Sequence, residues 1–357
     1  MLHNKEIKLL LEIATEPGNN AISLAGMNIQ QLMQLAFRHK TVYHLHVFAH
    51  KNSHLFSKEQ LKNIEERSRR SAIQSLVQLY ELKKIARTLD DNGISYCCIK
   101  GPQLSRMLYG REALKESVDL DIILGKASDL QQVHELFYKL GYSVSNLNEY
   151  PGKWRRKIFL IAKREVHYYN RENNCAIDLH IRPGANTYLT EKYFKGFLTG
   201  LKTYDLEGTP IPVLQDESYF VYLCYHGALH QFSRLAWLLD IRAFLIMKET
   251  TLNFDTVHRI ARSLNIERCV ILALLLLEKY FGDAFISKVD YSLQTKLMHL
   301  LAADCYEMLR SQPGYALSLK GRYNKVIYIM KLIKGLPGKI DWFYGIFMRQ
   351  VIKVIRS

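Results

Sequence analysis

The sequence lacks the patterns that mark secreted, zinc-binding or membrane-spanning proteins. Its six cysteines, at positions 97, 98, 175, 224, 269 and 305, show no paired metal-ligand spacing and fall mostly in apolar segments. We expect reduced, buried thiols in a cytoplasmic protein, without a disulfide framework or a zinc site. The longest apolar run, residues 269–277, is too short to cross a bilayer, and the N-terminus has neither the apolar core nor the cleavage site of a signal peptide.

Negative charge is also scarce, and this bears on the choice of partners. The chain has 34 Asp and Glu against 49 Lys and Arg, which gives a net charge of +15. Residues 153–171 contribute +6 and residues 310–357 contribute +9, so the rest of the chain is neutral. No recognisable nucleic-acid-binding module accompanies this excess, and nucleic acid is therefore the partner we rank last.

Each basic segment has a functional and a structural interpretation. Residues 150–157 place four cations beside Trp154, either as a lid over a phosphate-bearing ligand or as a solvated loop. The tail, residues 323–357, alternates apolar and aromatic clusters with cations. Such a segment could bind the anionic inner face of a membrane or an acidic partner. The structural interpretation is a terminal helix that docks on the protein and has a basic outer surface.

Hydrophobic periodicity divides the chain into three segments. Residues 1–92 repeat apolar side chains at helical spacing, and helices are expected near 7–13, 28–49 and 58–89. Residues 93–212 alternate short apolar strands with helices and include a hairpin, which is the pattern of a small mixed sheet. Residues 213–357 are helical again. The pattern therefore predicts an α+β protein with an α/β core between two helical regions.

Candidate chemistry begins at the end of the first predicted strand. That strand covers residues 95–99, and Lys100, Gly101 and Pro102 then form a turn into a short helix. A helix that starts at this turn directs unbonded backbone N–H groups, and the positive end of its dipole, at whatever lies above the strand. Such a helix start favours phosphate.

Two carboxylates open the next predicted strand. Residues two apart in a strand share a face, so Asp119 and Asp121 point the same way while Leu120 points into the sheet. Neighbouring carboxylates repel each other unless a cation lies between them, and oxygen ligands on a rigid strand suit Mg²⁺ bound to substrate phosphates. The alternative is a strand that simply begins at a solvated edge.

A third carboxylate follows in a predicted hairpin. Residues 164–169 and 175–181 have strand composition and are joined by a polar turn at 170–174. In the second strand Asp178 and His180 share one face, opposite the apolar side chains of its neighbours. A polar pair in so apolar a strand is a candidate part of the same site.

Taken together, these motifs resemble the polymerase-β-like nucleotidyltransferase superfamily. More narrowly, the chain is similar to a bacterial family of uncharacterised nucleotidyltransferases, some of which occur in capsule or lasso-peptide gene clusters. The matching phrases are Lys100-Gly101, Tyr109-Gly110, Lys115, Asp119-Leu120-Asp121, Asp178-Leu179-His180, and finally His226, His230, Trp237 and Asp240. The superfamily usually has Gly-Ser or Gly-Gly at the turn, whereas Pro102 here removes one backbone donor, for which Ser105 is a candidate substitute.

The resemblance implies an enzyme that moves a nucleoside monophosphate from a nucleoside triphosphate, ATP first among them, to an acceptor and releases pyrophosphate. The acceptor is a small molecule, a peptide or a protein. It also implies a role for each matching residue. Asp119, Asp121 and Asp178 would bind Mg²⁺ and carry out catalysis. The nucleotide would be bound by Lys100, Gly101, Ser105 and Lys115. The acceptor or base pocket would be lined by His180, His226, His230 and Asp240. The nucleotidyltransferase core is then residues 93–212.

The histidine phrase and the basic tail each lead to a further expectation. The offsets between His226, His230, Trp237 and Asp240 place these residues along one side of a single helix. The alternative to an enzyme is a non-catalytic binding protein on the same scaffold, tethered to a membrane or a biosynthetic complex by its basic tail. Nucleotide binding separates the two readings.

Overall fold

Helices and two small sheets form the part of the chain that the computed structural model describes, namely residues 4–16, 24, 26–110, 116–144, 165–181, 200–288, 295–311, 318–335, 339–340 and 343. In these ranges the chain is α+β, as predicted, with twelve α-helices and seven strands. The helices are α1 (Asn4–Thr15), α2 (Ile29–Arg38), α3 (Val42–Lys51), α4 (Lys58–Asp91), α5 (Pro102–Tyr109), α6 (Leu130–Lys139), α7 (Asp216–Leu229), α8 (Leu235–Met247), α9 (Phe254–Ser263), α10 (Glu267–Phe281), α11 (Lys296–Arg310) and α12 (Leu319–Leu332). The strands are β1 (Tyr96–Lys100), β2 (Asp119–Leu124), β3 (Ser143–Val144), β4 (Glu165–Asn170), β5 (Cys175–His180), β6 (Lys202–Asp205) and β7 (Pro210–Val213).

The larger sheet is mixed and has the strand order β1-β2-β5-β4-β3. Strands β2 and β5 run parallel, whereas the β1–β2, β5–β4 and β4–β3 pairs are antiparallel. The predicted hairpin is the β4–β5 pair, closed by a turn at residues 171–174. Strands β6 and β7 form a separate antiparallel pair.

Alternation along the strands separates an apolar face of the sheet from a polar one. Leu120, Ile177 and Tyr168 lie in register across β2, β5 and β4, and each is at most 1% exposed. Phe137 of α6 meets the Tyr168 ring edge-on at 5.0 Å, so this helix covers the apolar face. The odd-numbered residues of β2 and β4 and the even-numbered residues of β5 therefore point to the other face.

Contacts group the chain into two compact units. One unit contains Met1–Ile73, Ala113–Glu116 and Phe220–Lys334, and the other contains Gln74–Glu112, Ser117–Tyr219 and Gly335–Ser357. Both sheets belong to the second unit. The first unit is helical in its described part, and its core includes Leu10, Leu32, Leu45 and Phe48, all fully buried.

Two expected helices are each interrupted. The helix predicted over 28–49 is α2 followed by α3, because Lys40 takes a left-handed backbone conformation at φ +59°. Neither Gly nor Pro marks this position in the sequence. The break is stabilised by Thr41, whose backbone N–H donates to the carbonyl of Ala36 at 2.9 Å.

The prediction that a single helix carries residues 226–240 was also wrong. Helix α7 ends at Leu229 and α8 begins at Leu235, with Gln231 and Phe232 at φ +54° and +44° between them. The Phe232 ring folds back onto α7 at Gly227, where an added Cβ would lie 2.2 Å from the ring. The fully buried Phe232 compensates for the unfavourable backbone, since an aromatic ring removes a large apolar area from water.

Candidate functional site

Three carboxylates meet on the polar face of the larger sheet. The parallel register places Asp121 of β2 directly beside Asp178 of β5, and Asp119 lies two residues before Asp121 on the same face. One carboxylate oxygen from each of the three lies within 4.8 Å of the others. Such a spacing lets one divalent cation contact all three groups.

The burial of these three carboxylates distinguishes the cluster from the exposed acidic groups that are common on protein surfaces. Asp121 is only 5% exposed, and Asp119 and Asp178 are half-buried. Burial, followed by the neighbouring charges of Asp121 and Asp178, raises the pKa of Asp119 to about 7. The amino group of Lys100 opposes this rise in pKa but does not cancel it. At neutral pH the negative charge of the cluster is therefore only partly balanced by Lys100, and a bound cation would balance more of it.

Asp121 has two basic neighbours. Lys100 Nζ lies 3.0 Å from one carboxylate oxygen, and His180 Nε2 lies 3.0 Å from the other. A bulge in the β1–β2 pairing brings Lys100 opposite Asp121. Lys100, expected at the triphosphate, thus forms an ion pair with a metal-binding candidate. His180, expected in the acceptor or base pocket, contacts the same carboxylate.

Two residues of β4 belong to the site, although sequence analysis overlooked both. His167 Nδ1 lies 2.5 Å from Asp178 Oδ1, and Glu165 lies between His167 and His180 at 3.5 and 3.6 Å. The available signal was the alternation of polar and apolar residues in β4, which places Glu165 and His167 on the face that carries Asp178.

The turn between β1 and α5 depends on glycine. Gly101 has φ +123° and ψ −155°, a conformation that residues with a side chain rarely adopt. An added Cβ would also lie 3.1 Å from Gln103 Oε1. Pro102 occupies the first helical position, where its missing N–H removes one donor from the helix start. Ser105 is fully buried, and its contact with a phosphate stays a prediction.

Other predicted residues lie outside the described part of the chain. These are Lys115 and the basic loop at 150–157, together with most of the basic tail. Nothing in the geometry bears on them.

Comparison with protein families adds independent information. A family model described as uncharacterised nucleotidyltransferase matches residues 25–282, which is more than half of the chain. The chain belongs to this family. Searches of curated proteins and of solved structures each found no match. As a nucleotidyltransferase, the protein belongs to a class of enzymes that transfer a nucleotidyl group, and the aspartate cluster lies inside the matched region.

The histidine cluster of this nucleotidyltransferase lies in the helical unit. His226 at the end of α7, His230 in the following turn and Trp237 of α8 form a ring cluster, with centroids 4.7 to 5.3 Å apart. Asp240 is buried at 3% exposure on α8. The turn between α7 and α8, rather than a continuous helix, brings the two histidines to the tryptophan.

Two further observations concern the cysteines and the helices of the nucleotidyltransferase. All six cysteines are free and buried, as predicted. None of the helices in the described ranges combines the length and the apolar character that a membrane crossing requires.

Proposed function

We propose that the protein transfers a nucleoside monophosphate from a nucleoside triphosphate, with ATP as the first candidate, to an acceptor that is a small molecule, a peptide or a protein. The main support is the meeting of Asp119, Asp121 and Asp178 within 4.8 Å, on two adjacent parallel strands of a nucleotidyltransferase-family chain. In this reaction, an oxygen of the acceptor forms a bond to the α-phosphorus. The bond from that phosphorus to the oxygen that bridges to the β-phosphate breaks, and pyrophosphate leaves.

The donor set fits Mg²⁺ as the cofactor. Three carboxylates are hard oxygen donors, and Mg²⁺ is usually held by few carboxylates together with water and substrate phosphates. The raised pKa of Asp119 indicates a cluster whose negative charge is incompletely neutralised by Lys100. Asp119, Asp121 and Asp178 would hold the ion, which when bound would neutralise phosphate charge and make the attacking oxygen more acidic.

The protein's own groups would position the nucleotide. Gly101 lets the chain turn sharply from the end of β1 into α5. The backbone N–H groups in the first turn of α5 would then be available to the phosphates of the nucleotide. Lys100 and Lys115 would add point charges for the triphosphate. The amino group of Lys100 already lies 3.0 Å from Asp121, next to the carboxylates that would hold the ion.

The acceptor side would be shaped by histidines. Asp178 would accept the acceptor's proton, directly or through water, since it carries the third carboxylate of the cluster. His180 adjoins this cluster through its contact with Asp121. His226, His230 and Asp240 are proposed to line the acceptor or base pocket.

Isotope transfer tests the function. The purified protein would be incubated with Mg²⁺, nucleoside triphosphates labelled at the α-phosphate, and an extract of its host. We expect label to move into a product in the wild-type chain and not in a variant with both Asp119→Ala and Asp121→Ala. The exposed change Asp91→Asn is the matched control. No nucleotide binding at millimolar concentration in calorimetry would refute the proposal and favour the non-catalytic alternative.

A peripheral contact of the basic tail is a separate proposal. The tail begins within helix α12, which exposes Tyr323 at 66% beside the exposed cation Lys325, and Ile340 and Phe343 of the tail are 59% and 50% exposed. Apolar and cationic side chains on one helix suit an anionic lipid surface. Co-sedimentation with vesicles that contain anionic lipid, compared with neutral vesicles, tests it, and equal sedimentation with both would refute it.

A further inference from the structure

Two outward-facing residues of β4 connect the metal-site carboxylates. The antiparallel register places His167 opposite Asp178 and Glu165 opposite His180. His167 Nδ1 lies 2.5 Å from Asp178 Oδ1, and its Nε2 lies 3.5 Å from Glu165 Oε1. His180 Nδ1 lies 3.6 Å from Glu165 Oε2, and its Nε2 lies 3.0 Å from Asp121 Oδ1. The contacts run without interruption from one metal-binding candidate to the other.

Carboxylates and imidazoles alternate along this path. We call its three inner residues, Glu165, His167 and His180, the carboxylate–imidazole bridge. Each imidazole has one ring nitrogen near Glu165 and the other near an aspartate of the cluster. A carboxylate beside each ring nitrogen restricts the orientation of the ring, and partners behind metal-binding side chains commonly set the geometry of those side chains.

Stability of the fold gives little reason for this arrangement. The side chains of Glu165 and His167 are 42% and 46% exposed, so they are not part of the core. Ion pairs with this much exposure contribute about 0–1 kcal/mol. The two inner contacts to Glu165, at 3.5 and 3.6 Å, are also too long for strong hydrogen bonds. The effect of the bridge is therefore expected at the aspartates rather than on folding.

We propose that Glu165 is a positioning residue that acts through His167 and His180 to hold Asp178 and Asp121 at the separation a divalent cation requires. The inference rests on the proposed function because it assumes that the aspartate cluster binds a cation. Glu165 itself would touch neither the substrate nor the cation. Its removal would release both imidazoles at once, and the two carboxylates would lose a common support.

Binding of Mn²⁺ to the full-length protein without nucleotide tests the inference. Manganese is used because electron paramagnetic resonance counts the free ion directly. We expect Glu165→Ala to weaken Mn²⁺ binding by roughly tenfold, the lower end of the usual range for such partners, because its contacts are long. Glu165→Gln should lose less Mn²⁺ affinity than Glu165→Ala, since the amide keeps one oxygen acceptor. Glu172→Ala, an exposed change in the turn of the same hairpin, should bind as the wild type does.

A double-mutant cycle separates positioning from an unrelated effect. In His167→Asn the amide nitrogen can replace Nδ1 near Asp178, but the side chain is too short to reach Glu165. If Glu165 acts partly through His167, the loss from Glu165→Ala should be smaller in the His167→Asn background than in the wild type. The midpoint of thermal unfolding in EDTA should stay within about 1 °C of wild type for each variant.

The outcomes distinguish this inference from the proposed function. Wild-type binding that Glu165→Ala leaves unchanged would overturn the positioning role alone. So would a loss of Mn²⁺ affinity in Glu165→Ala and Glu165→Gln that is matched by a fall of the unfolding midpoint in EDTA, because that pattern means a structural role. Absence of Mn²⁺ binding by the wild-type chain would overturn the proposed function and this inference with it.

Discussion

Replacing Asp119 by Asn should stabilise the metal-free protein at pH 8. The pKa of Asp119 is raised from its ordinary value of 3.8 to about 7 by burial and by the charges of Asp121 and Asp178. The folded state therefore binds this proton more tightly than the unfolded state. The associated stability is fully present below about pH 4 and is lost as the pH rises through about 7. Asparagine resembles the protonated acid and does not lose this stability.

The size of the effect follows from the difference in pKa. From 3.8 to about 7, at about 1.4 kcal/mol per pH unit, the upper limit is about 4 kcal/mol. Asp119 keeps some contact with water, which screens the repulsion, so we expect about 1 to 4 kcal/mol. For a chain of this length this corresponds to a rise of roughly 1 to 5 °C in the unfolding midpoint at pH 8.

Thermal unfolding followed by circular dichroism in EDTA at pH 4 and pH 8 measures the effect. The midpoint of Asp119→Asn should exceed that of the wild type at pH 8 and approach it at pH 4, whereas the exposed control Asp91→Asn should match the wild type at both. Saturating Mg²⁺ should raise the wild-type midpoint more than that of the variant, because the ion replaces the missing positive charge. A variant less stable than the wild type at pH 8 in EDTA would refute the reasoning about repulsion in the cluster.

Three further substitutions test other features of the structure. Lys100→Met removes a cation from the buried carboxylate of Asp121, so the unfolding free energy of the metal-free protein should fall by about 2 to 4 kcal/mol in denaturant titration. Mg²⁺ should restore part of this loss. An unchanged midpoint would contradict the ion pair. Gly101→Ala forces φ +123° on a residue with a side chain, and we expect a loss of about 1 to 3 kcal/mol and weaker nucleotide binding by calorimetry. Gly227→Ala places a Cβ against the Phe232 ring and should lower the unfolding midpoint by several degrees, with Ser233→Ala as control.

Local patterns in the sequence predicted much of the site. Alternation with period two placed Asp119 and Asp121 on one face of a strand, and Asp178 and His180 on one face of another. The glycine turn before α5 was also visible, because only glycine readily adopts the backbone that Gly101 shows. These features depend on neighbours along the chain.

The interruptions of the helices could not be found in the same way. Neither the α2–α3 turn nor the α7–α8 turn contains a Gly or Pro among residues 39–41 or 230–234. In the second case the turn depends on Phe232 packing against Gly227, a contact between a side chain and the preceding helix. Propensity along the sequence does not contain that contact, and tertiary packing overrides it.

The sequence by itself determined which side chains share a face of each strand, because that follows from the geometry of the extended backbone. Only the tertiary structure decided which faces meet. The parallel register of β2 with β5 set Asp121 beside Asp178, and the antiparallel register of β4 with β5 brought His167 to the same cluster. Strand order and register depend on pairing between distant parts of the chain, and a shift of one residue would have turned these side chains to the opposite face.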